Sequence, residues 1–418
     1  MNRSTHPLFG RLALALGARI LGPYGVLHGT DGADQDKGWL PAQDLTHFVI
    51  RRAGLDGAGR ARLEALGAAL HPNGPDHWQF LLPPESLDVP TGTLEALQSP
   101  STGTECEALL LHLAATRRAM LAPPAPVEIM GILNVTPDSF SDGGRHGDPA
   151  VAIEAGLRFL EAGAKWLDIG GESTRPGAHE VPLELECERV LPVIAGLAAR
   201  GVTGLSVDTR HSAVAERALD AGATMVNDVG AGLDDPRMLQ VLAKHPCEYV
   251  LMHRQGTPKS MQAAPRYGDV LDEVTGFLRE RVAACLDAGI DGSRLWVDPG
   301  IGFGKRLEHN LDLLRRLAEL RCLGLPMLLG PSRKSFIAHV TGAQREADWA
   351  RLEARDNPAE RIGGTSAAIT FCVAGGAKVL RVHDVSVMSE ACAVASAIQA
   401  RPQRTDTFPG SLPPSSPC

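Results

Sequence analysis

The sequence predicts an α/β protein: a TIM-type (β/α)₈ barrel preceded by a small α/β accessory domain. Three observations carry that expectation. From Glu128 to Val382, short apolar runs alternate with helical patterns eight times, more units than an open doubly wound sheet usually holds. The runs end in dense polar clusters: Asn134-Val-Thr-Pro-Asp138, Asp168-Ile-Gly-Gly-Glu172-Ser-Thr-Arg175, Val207-Asp208-Thr209, Asn227-Asp228, Met252-His253, Asp298-Pro-Gly300, Ser332-Arg333-Lys334 and Arg381-Val-His383. Strand ends of a closed parallel barrel converge on one face, so such clusters would assemble a catalytic mouth there. Finally, Pro123-Pro124-Ala125-Pro126 separates a helical pattern from a strand, as a domain boundary does.

The elements follow in chain order. In residues 1–122, Phe48-Val49-Ile50 and Trp78 to Leu82 read as strands, while Ala61 to Leu70 (Leu63, Leu66 and Leu70 at helical spacing) and Ala108 to Met120 read as helices. This accessory region carries no chemical constellation, and its role stays open. The first thirty residues contain no Asp or Glu but carry Arg3, Arg11 and Arg19; without a cleavage pattern they read as chance composition rather than a targeting segment. In the barrel, 127–401, the strand candidates are Glu128–Leu133, Lys165–Ile169, Gly204–Val207, Thr224–Val226, Glu248–Leu251, Leu295–Val297, Met327–Leu329 and Lys378–Val382. Most are short, apolar and flanked by Gly or Pro, as buried parallel strands are. Helical patterns between them include Val151–Ala162, Leu183–Ala199, Ala213–Ala221, Val270–Ala288 and Asn310–Leu320. Several close on Ala-Gly pairs (Ala162-Gly163, Ala221-Gly222, Ala288-Gly289, Ala374-Gly375), the glycine stop that precedes a strand. The tail, 402–418, is rich in Pro, Ser and Thr and is expected to be disordered.

Composition narrows the function. An apolar content of 44% with 4% aromatics describes a globular chain with an aliphatic core. A net charge of −8 and a pI near 6.0 give no footprint for nucleic acid. No run approaches the roughly 20 apolar residues of a spanning helix, so no membrane partner is expected. The eight cysteines are scattered without a C-x-x-C pair, which argues against a zinc site or a disulfide framework and for a reducing, cytoplasmic setting.

Taken singly, the polar clusters are weak signals. Asp168 reads equally as a helix N-cap or a barrel-rim salt bridge, and Asp208 and Asn227 share that reading. Asp298 opens an apolar strand, where a carboxylate needs a partner. Together Asp208, Asn227 and Asp298 would form an acceptor-rich pocket for a flat heterocycle with N–H donors, which the edge of a pterin suits. Gly300-Ile-Gly302-Phe-Gly304-Lys305 lacks the residues of a phosphate loop and is expected instead to turn Phe303 and Lys305 over the mouth. Arg381 and His383 alternate on the eighth strand and so point to one side, a fork and a donor suited to phosphate; the bland reading of Arg381 is a salt bridge inside the barrel. Asn134 and Thr136, with Thr174 and Arg175, add donors. Ser332-Arg333-Lys334-Ser335 opens a helix whose N-terminus can hold a carboxylate or phosphate.

With these residues assembled, Ile129–Val385 closely resembles the dihydropteroate synthase family. The motifs that carry the resemblance are Gly131-Ile-Leu-Asn-Val-Thr-Pro-Asp-Ser-Phe-Ser-Asp-Gly143, Asp168-Ile-Gly-Gly-Glu-Ser-Thr-Arg-Pro-Gly177, Ser206-Val-Asp-Thr209, Asn227-Asp-Val229, Met252-His253, Asp298-Pro-Gly-Ile-Gly-Phe-Gly-Lys305, Ser332-Arg-Lys-Ser335 and Arg381-Val-His-Asp384. They occur in order over about two thirds of the chain; Arg254 departs from the apolar residue relatives often carry. The resemblance implies that 4-aminobenzoate displaces diphosphate from (7,8-dihydropterin-6-yl)methyl diphosphate, giving 7,8-dihydropteroate. It implies that Asp208, Asn227, Asp298 and Lys334 hold the pterin, with Met252 in the substrate pocket, and that Asn134 ligates Mg²⁺. Arg381, His383, Thr174 and Arg175 would contact the phosphates, and Ser335, Lys305, Phe303 and Pro176 would border the aminobenzoate. Asp208, Asp298, Lys334 and Arg381 are the expected catalytic group, and the last barrel helices the expected homodimer contact. Two rivals stand beside it. A pterin-dependent methyltransferase barrel would need neither Ser332-Arg333-Lys334-Ser335 nor the Arg381–His383 pair; a catalytically idle pterin-binding homologue would need no intact Asn134, Arg175, Lys334 and Arg381. A second folate activity in the accessory region lacks any recognisable constellation.

Overall fold

The computed structural model describes residues 18–19, 47–51, 68–70, 77–81, 126–136, 148–172, 181–257, 261–262, 264–343 and 358–400. The barrel strands are β1 (Glu128–Asn134), β2 (Trp166–Gly170), β3 (Leu205–Asp208), β4 (Met225–Asp228), β5 (Glu248–Met252), β6 (Leu295–Asp298), β7 (Leu328–Leu329) and β8 (Val379–Val382). All pairings are parallel, in the order β6-β5-β4-β3-β2-β1-β8-β7. A parallel bridge from Val297 to Met327 joins β6 to the β7 end and closes the ring. The sequence places all eight strands to within one or two residues.

Around the ring lie α1 (Pro149–Glu161), α2 (Leu183–Ala198), α3 (Ser212–Asp220), α4 (Met238–Lys244), α5 (Val270–Asp287), α6 (Leu307–Arg315), α7 (Ser335–Ala343), α8 (Ile362–Ala374) and α9 (Val385–Gln399). Asp148 caps α1 by accepting from Ala150 N–H at 2.9 Å, and Pro149 supplies its preset φ at the first helical position. Three of the four Ala-Gly stops turn into left-handed backbone at the glycine; the fourth helix runs one residue further, to Gly376 at φ 89. The helix predicted over Asn310–Leu320 is two pieces: α6 ends at Arg315 and a 3₁₀ segment spans Leu317–Leu323. Among the described residues no helix is long and apolar enough to cross a membrane.

Period-two alternation divides each strand between two cores. Leu167, Ile169, Leu205, Val207, Tyr249, Leu251, Leu295, Val297, Leu380 and Val382 belong to the large cluster shared with the helices. Met130, Met225, Val250, Trp296, Leu328 and Val379 form a separate cluster inside the ring. Each fully buried aliphatic side chain here stabilises by about 1.5–3 kcal/mol relative to exposure. At the lower end, Trp166 Nε1 donates to Glu128 Oε2 (2.9 Å) and Trp296 Nε1 to Glu248 Oε2 (2.7 Å). The two indoles meet edge to face at 6.4 Å.

In the N-terminal region Ala18–Arg19, His47–Arg51, His77–Leu81 and Ala68–Leu70 pair antiparallel in that order. Two of these match predicted strands. Ala68–Leu70 corrects the end of the predicted 61–70 helix: Leu70 pairs with Trp78, and Pro72-Asn73-Gly74-Pro75 just beyond cannot continue a helix. Residues 61–67, the 108–120 helix and the 402–418 tail lie outside the described residues.

Candidate active site

The C-terminal strand ends carry a polar network built from inward-facing positions. Asp168 is fully buried in the middle of β2. It accepts from Ser206 Oγ of β3 (2.6 Å), Asn227 Nδ2 of β4 (3.0 Å) and Arg381 Nε of β8 (2.6 Å). Arg381 Nη2 reaches on to Asp208 Oδ2 at 2.7 Å. The register makes this possible: Asp168 lies opposite Ser206, and Asp208 lies between Gly170 and Asn227 on its two neighbours. A Cβ on Gly170 would lie 3.5 Å from Asp208 Cβ and 3.7 Å from Asn134 Oδ1. The absent side chain therefore leaves Asp208 and Asn134 bordering the same gap.

Two carboxylates here are held away from their usual protonation range. Burial pushes Asp208 up to about 7 against the pull of Arg381, with Asp168 adding to the rise. Its Oδ1 is buried and accepts no hydrogen bond. Burial pushes Asp298 up to about 6, opposed by the Gly300 N–H that donates to its Oδ1 at 2.7 Å and by Lys334 and Lys305. A buried acceptor left unfilled costs about 1–3 kcal/mol, so Asp208 is arranged for a donor that the described residues do not supply.

The β5–β6 wall differs from expectation at one residue. Gly300, Gly302 and Gly304 take φ of 68, 83 and 60, giving the predicted tight turn. Phe303 is half-buried with Lys334 Nζ 3.9 Å over its ring. Lys305, however, does not project over the mouth. It is buried, and its Nζ meets His253 Nδ1 (2.9 Å), the Phe303 carbonyl (3.0 Å) and the His253 carbonyl (3.3 Å). Burial lowers Lys305 to about 7, and burial together with Lys305 drives His253 to about 2, leaving a neutral imidazole able to accept. The inward turn follows from these partners: they satisfy the ammonium where solvent is excluded. Met252 is buried at the end of β5.

On the anion side Arg381 and His383 hydrogen-bond to different partners. Strand β8 ends at Val382. Arg381 enters the carboxylate network, the internal salt bridge that its position alone also allowed, while His383 Nδ1 sits 3.0 Å from Ser332 Oγ. Arg333, left-handed at φ 55, pairs with Asp384, and Ser335 begins α7 exposed at the rim. Asp208, Asn227, Asp298, Lys334, Arg381 and Asn134 thus share the mouth; Thr174, Arg175 and Pro176 lie outside the described residues. Arg254 donates to Asp234 (2.7 Å) and the Gly256 carbonyl (2.9 Å). Sequence reasoning left the roles of Asp168 and Ser206 open, although polar residues at inward positions of otherwise apolar strands were a usable signal.

The sequence pattern of the family described as pterin binding enzyme matches residues 130–383. The dihydropteroate synthase of Escherichia coli K12 is 44% identical over 269 residues, 64% of this chain and 90% of that protein. A dihydropteroate synthase from Xanthomonas albilineans solved with 4-aminobenzoic acid is 47% identical, with a TM-score of 0.60 over 66% of this chain and 94% of that one. The same organism's enzyme in complex with 7,8-dihydropteroate is 44% identical, with a TM-score of 0.58 over 66% and 95%. The family match, the identity and the shared barrel fold agree: the chain belongs to the pterin binding enzymes and, within them, to the dihydropteroate synthase family of transferases.

Proposed function

We propose that the barrel mouth condenses 4-aminobenzoate with (7,8-dihydropterin-6-yl)methyl diphosphate, releasing diphosphate and 7,8-dihydropteroate for folate biosynthesis. The observation that carries this reading is the unfilled, buried Asp208 Oδ1 beside Asn227 and near Asp298. It is an acceptor set for the N–H edge of a pterin. Asp208, Asn227 and Asp298 hold the ring, Lys334 lies against it from Phe303, and Met252 lines the wall. The C–O bond to diphosphate breaks with its electron pair on the leaving group. The positive charge left on the methylene spreads into the ring, where the ionised Asp208 and Asp298 stabilise it. The arylamine lone pair then forms the C–N bond and its proton leaves. An arylamine is uncharged at neutral pH, so the site needs no nucleophilic dyad.

Arg381 supplies positive charge beneath the mouth, while His383, Thr174 and Arg175 receive the phosphates and Asn134 a Mg²⁺ ion. The donor chemistry fits: Asn134 Oδ1, a hard oxygen bordering the Gly170 gap with the Asp208 carboxylate, would be completed by phosphate oxygens and water, the all-oxygen shell Mg²⁺ takes. A Mg²⁺ ion held there would supply positive charge against the departing diphosphate. Ser335, Phe303 and Pro176 border the aminobenzoate, and Lys305 supports that wall from below by fixing the Phe303 carbonyl. The last two helices carry Phe371, Val387, Val394 and Ile398, all exposed, which supports a homodimer through α8 and α9. Among the described residues, five free, buried cysteines support a reducing, cytoplasmic setting.

Purified protein given Mg²⁺, the pterin diphosphate and 4-aminobenzoate is expected to release diphosphate, with sulfonamides competing against the aminobenzoate. Absence of turnover in a folded sample would leave the idle homologue as the better reading.

A further inference from the structure

We propose that Glu172, Glu186 and His211 form a divalent-cation site of Zn²⁺ type, where the connection after β2 meets the connection after β3. One ligand atom from each residue lies within 4.8 Å of those of the other two. Glu172 follows the end of β2, Glu186 stands in the first turn of α2, and His211 precedes α3. None of the three belongs to the pterin pocket.

The argument rests on Glu186. Its side chain is fully buried, its Oε2 meets His211 Nδ1 at 2.7 Å, and its Oε1 is buried without any hydrogen-bond partner. A carboxylate with no exposed surface and an unfilled oxygen is costly unless a cation answers it. Glu172 leaves capacity for that cation. Its contacts from Val181 N–H (3.2 Å) and from Arg210 Nε (3.2 Å) and Nη2 (3.3 Å) are all at the long end of the range. Arg210 is also drawn toward Asp234, at 3.7 Å. Two carboxylates against one guanidinium leave a negative balance beside a half-buried imidazole. The hydrogen bond that His211 Nδ1–H donates to the Glu186 carboxylate raises the proton affinity of His211 above its usual value, and Glu172 adds to that rise against burial and Arg210. The same field favours a metal ion.

The donor set selects the ion. One imidazole and two carboxylates, with a fourth position for water through the side where His211 is open, match three-ligand Zn²⁺ sites, whereas Mg²⁺ and Ca²⁺ take oxygen alone. Tetrahedral bonds of about 2.0–2.2 Å place ligand atoms about 3.4 Å apart, so binding would open the 2.7 Å contact between His211 Nδ1 and Glu186 Oε2 and draw in Glu172, whose long contacts yield. Such an ion would tie the segment leading to Thr174, Arg175 and Pro176 to the loop that follows Asp208. The scattered cysteines had argued against zinc, but cysteine spacing says nothing about a site made of carboxylates and imidazole.

The competing occupant is a proton on His211, and the test separates the two. Full-length protein stripped with a chelator is titrated with ZnCl₂ and, as an optical probe, CoCl₂. The expected result is one equivalent bound, visible Co²⁺ absorption, a raised Tm, and binding that weakens as pH falls and protons compete for His211. His211→Lys keeps a cation beside Glu186 but removes the ligand. It and Glu186→Gln should each abolish the Co²⁺ absorption and weaken Zn²⁺ at least about tenfold, with circular dichroism unchanged for His211→Lys. The proposal is overturned if wild-type protein takes up no stoichiometric Zn²⁺, which leaves the proton as occupant. It is equally overturned if binding survives both substitutions, which puts the ion elsewhere.

Discussion

The two ends of the barrel interior both carry carboxylates and treat them in opposite ways: half-buried at the base, buried at the mouth. At the base, Glu128 and Glu248 each receive an indole N–H, from Trp166 and Trp296, and Lys378 Nζ adds an ion pair to Glu128 at 2.8 Å. At the mouth, Asp208 keeps an unfilled oxygen, and Asp208 and Asp298 are both pushed toward neutrality by burial. The strands, and the alternation along them, are the same at both ends. What differs is completeness: the base carboxylates are paired and partly open to solvent, whereas the mouth keeps the buried Asp208 Oδ1 unfilled among the described residues. Local rules are broken where a ligand is meant to repair them.

Four measurements would break or sharpen that contrast. The largest expected effect is from Arg381→Ala, which strips the cation from Asp168 and Asp208 together. Unfolding free energy should fall by about 3–5 kcal/mol, as for a broken buried pair, and turnover should fall with it. A urea midpoint equal to wild type would show that Ser206 and Asn227 hold Asp168 unaided. Next, Asp208→Asn removes the acceptor charge and should lower kcat/KM on the order of 10²- to 10³-fold with the fold retained; a loss below about tenfold would move the weight of catalysis to Asp298.

The third concerns pH. Ionised carboxylate is the working form, so protonation inactivates: kcat/KM should fall as pH drops through about 7 and about 6, the ranges of Asp208 and Asp298. A flat acid limb across that window would contradict the burial-driven rise. The smallest effect is expected at the base. Trp296→Phe removes the 2.7 Å bond to Glu248 and should cost about 1 kcal/mol of stability, with kcat/KM unchanged. If catalysis falls as well, base and mouth are energetically coupled and the contrast fails.

Much of this was legible beforehand, for identifiable reasons. Apolar runs such as Leu295-Trp296-Val297 ending in Asp298-Pro299-Gly300 announce a strand and its mouth residue together, because strand ends and polar clusters coincide in a parallel barrel. Ala68–Leu70 was misread because Ala and Leu favour helix intrinsically, and pairing with the strand at Trp78–Phe80 overrode that preference. The direction of Lys305 was misread for a similar reason. A lysine beside three glycines looks exposed until His253, 52 residues away, offers a buried acceptor.

The chain alone placed the strands to within one or two residues and named the polar clusters that gather at their C-terminal ends, since apolar runs and motif order are local properties. Only the closed tertiary structure decided the partners. Arg381 stands 213 residues from Asp168 and 173 from Asp208, and nothing local distinguishes a guanidinium that grips phosphate from one that grips carboxylates. That choice is made when β8 docks against β1 and brings the buried charges of β2 and β3 within reach, because uncompensated charge in a low-dielectric interior takes the nearest partner.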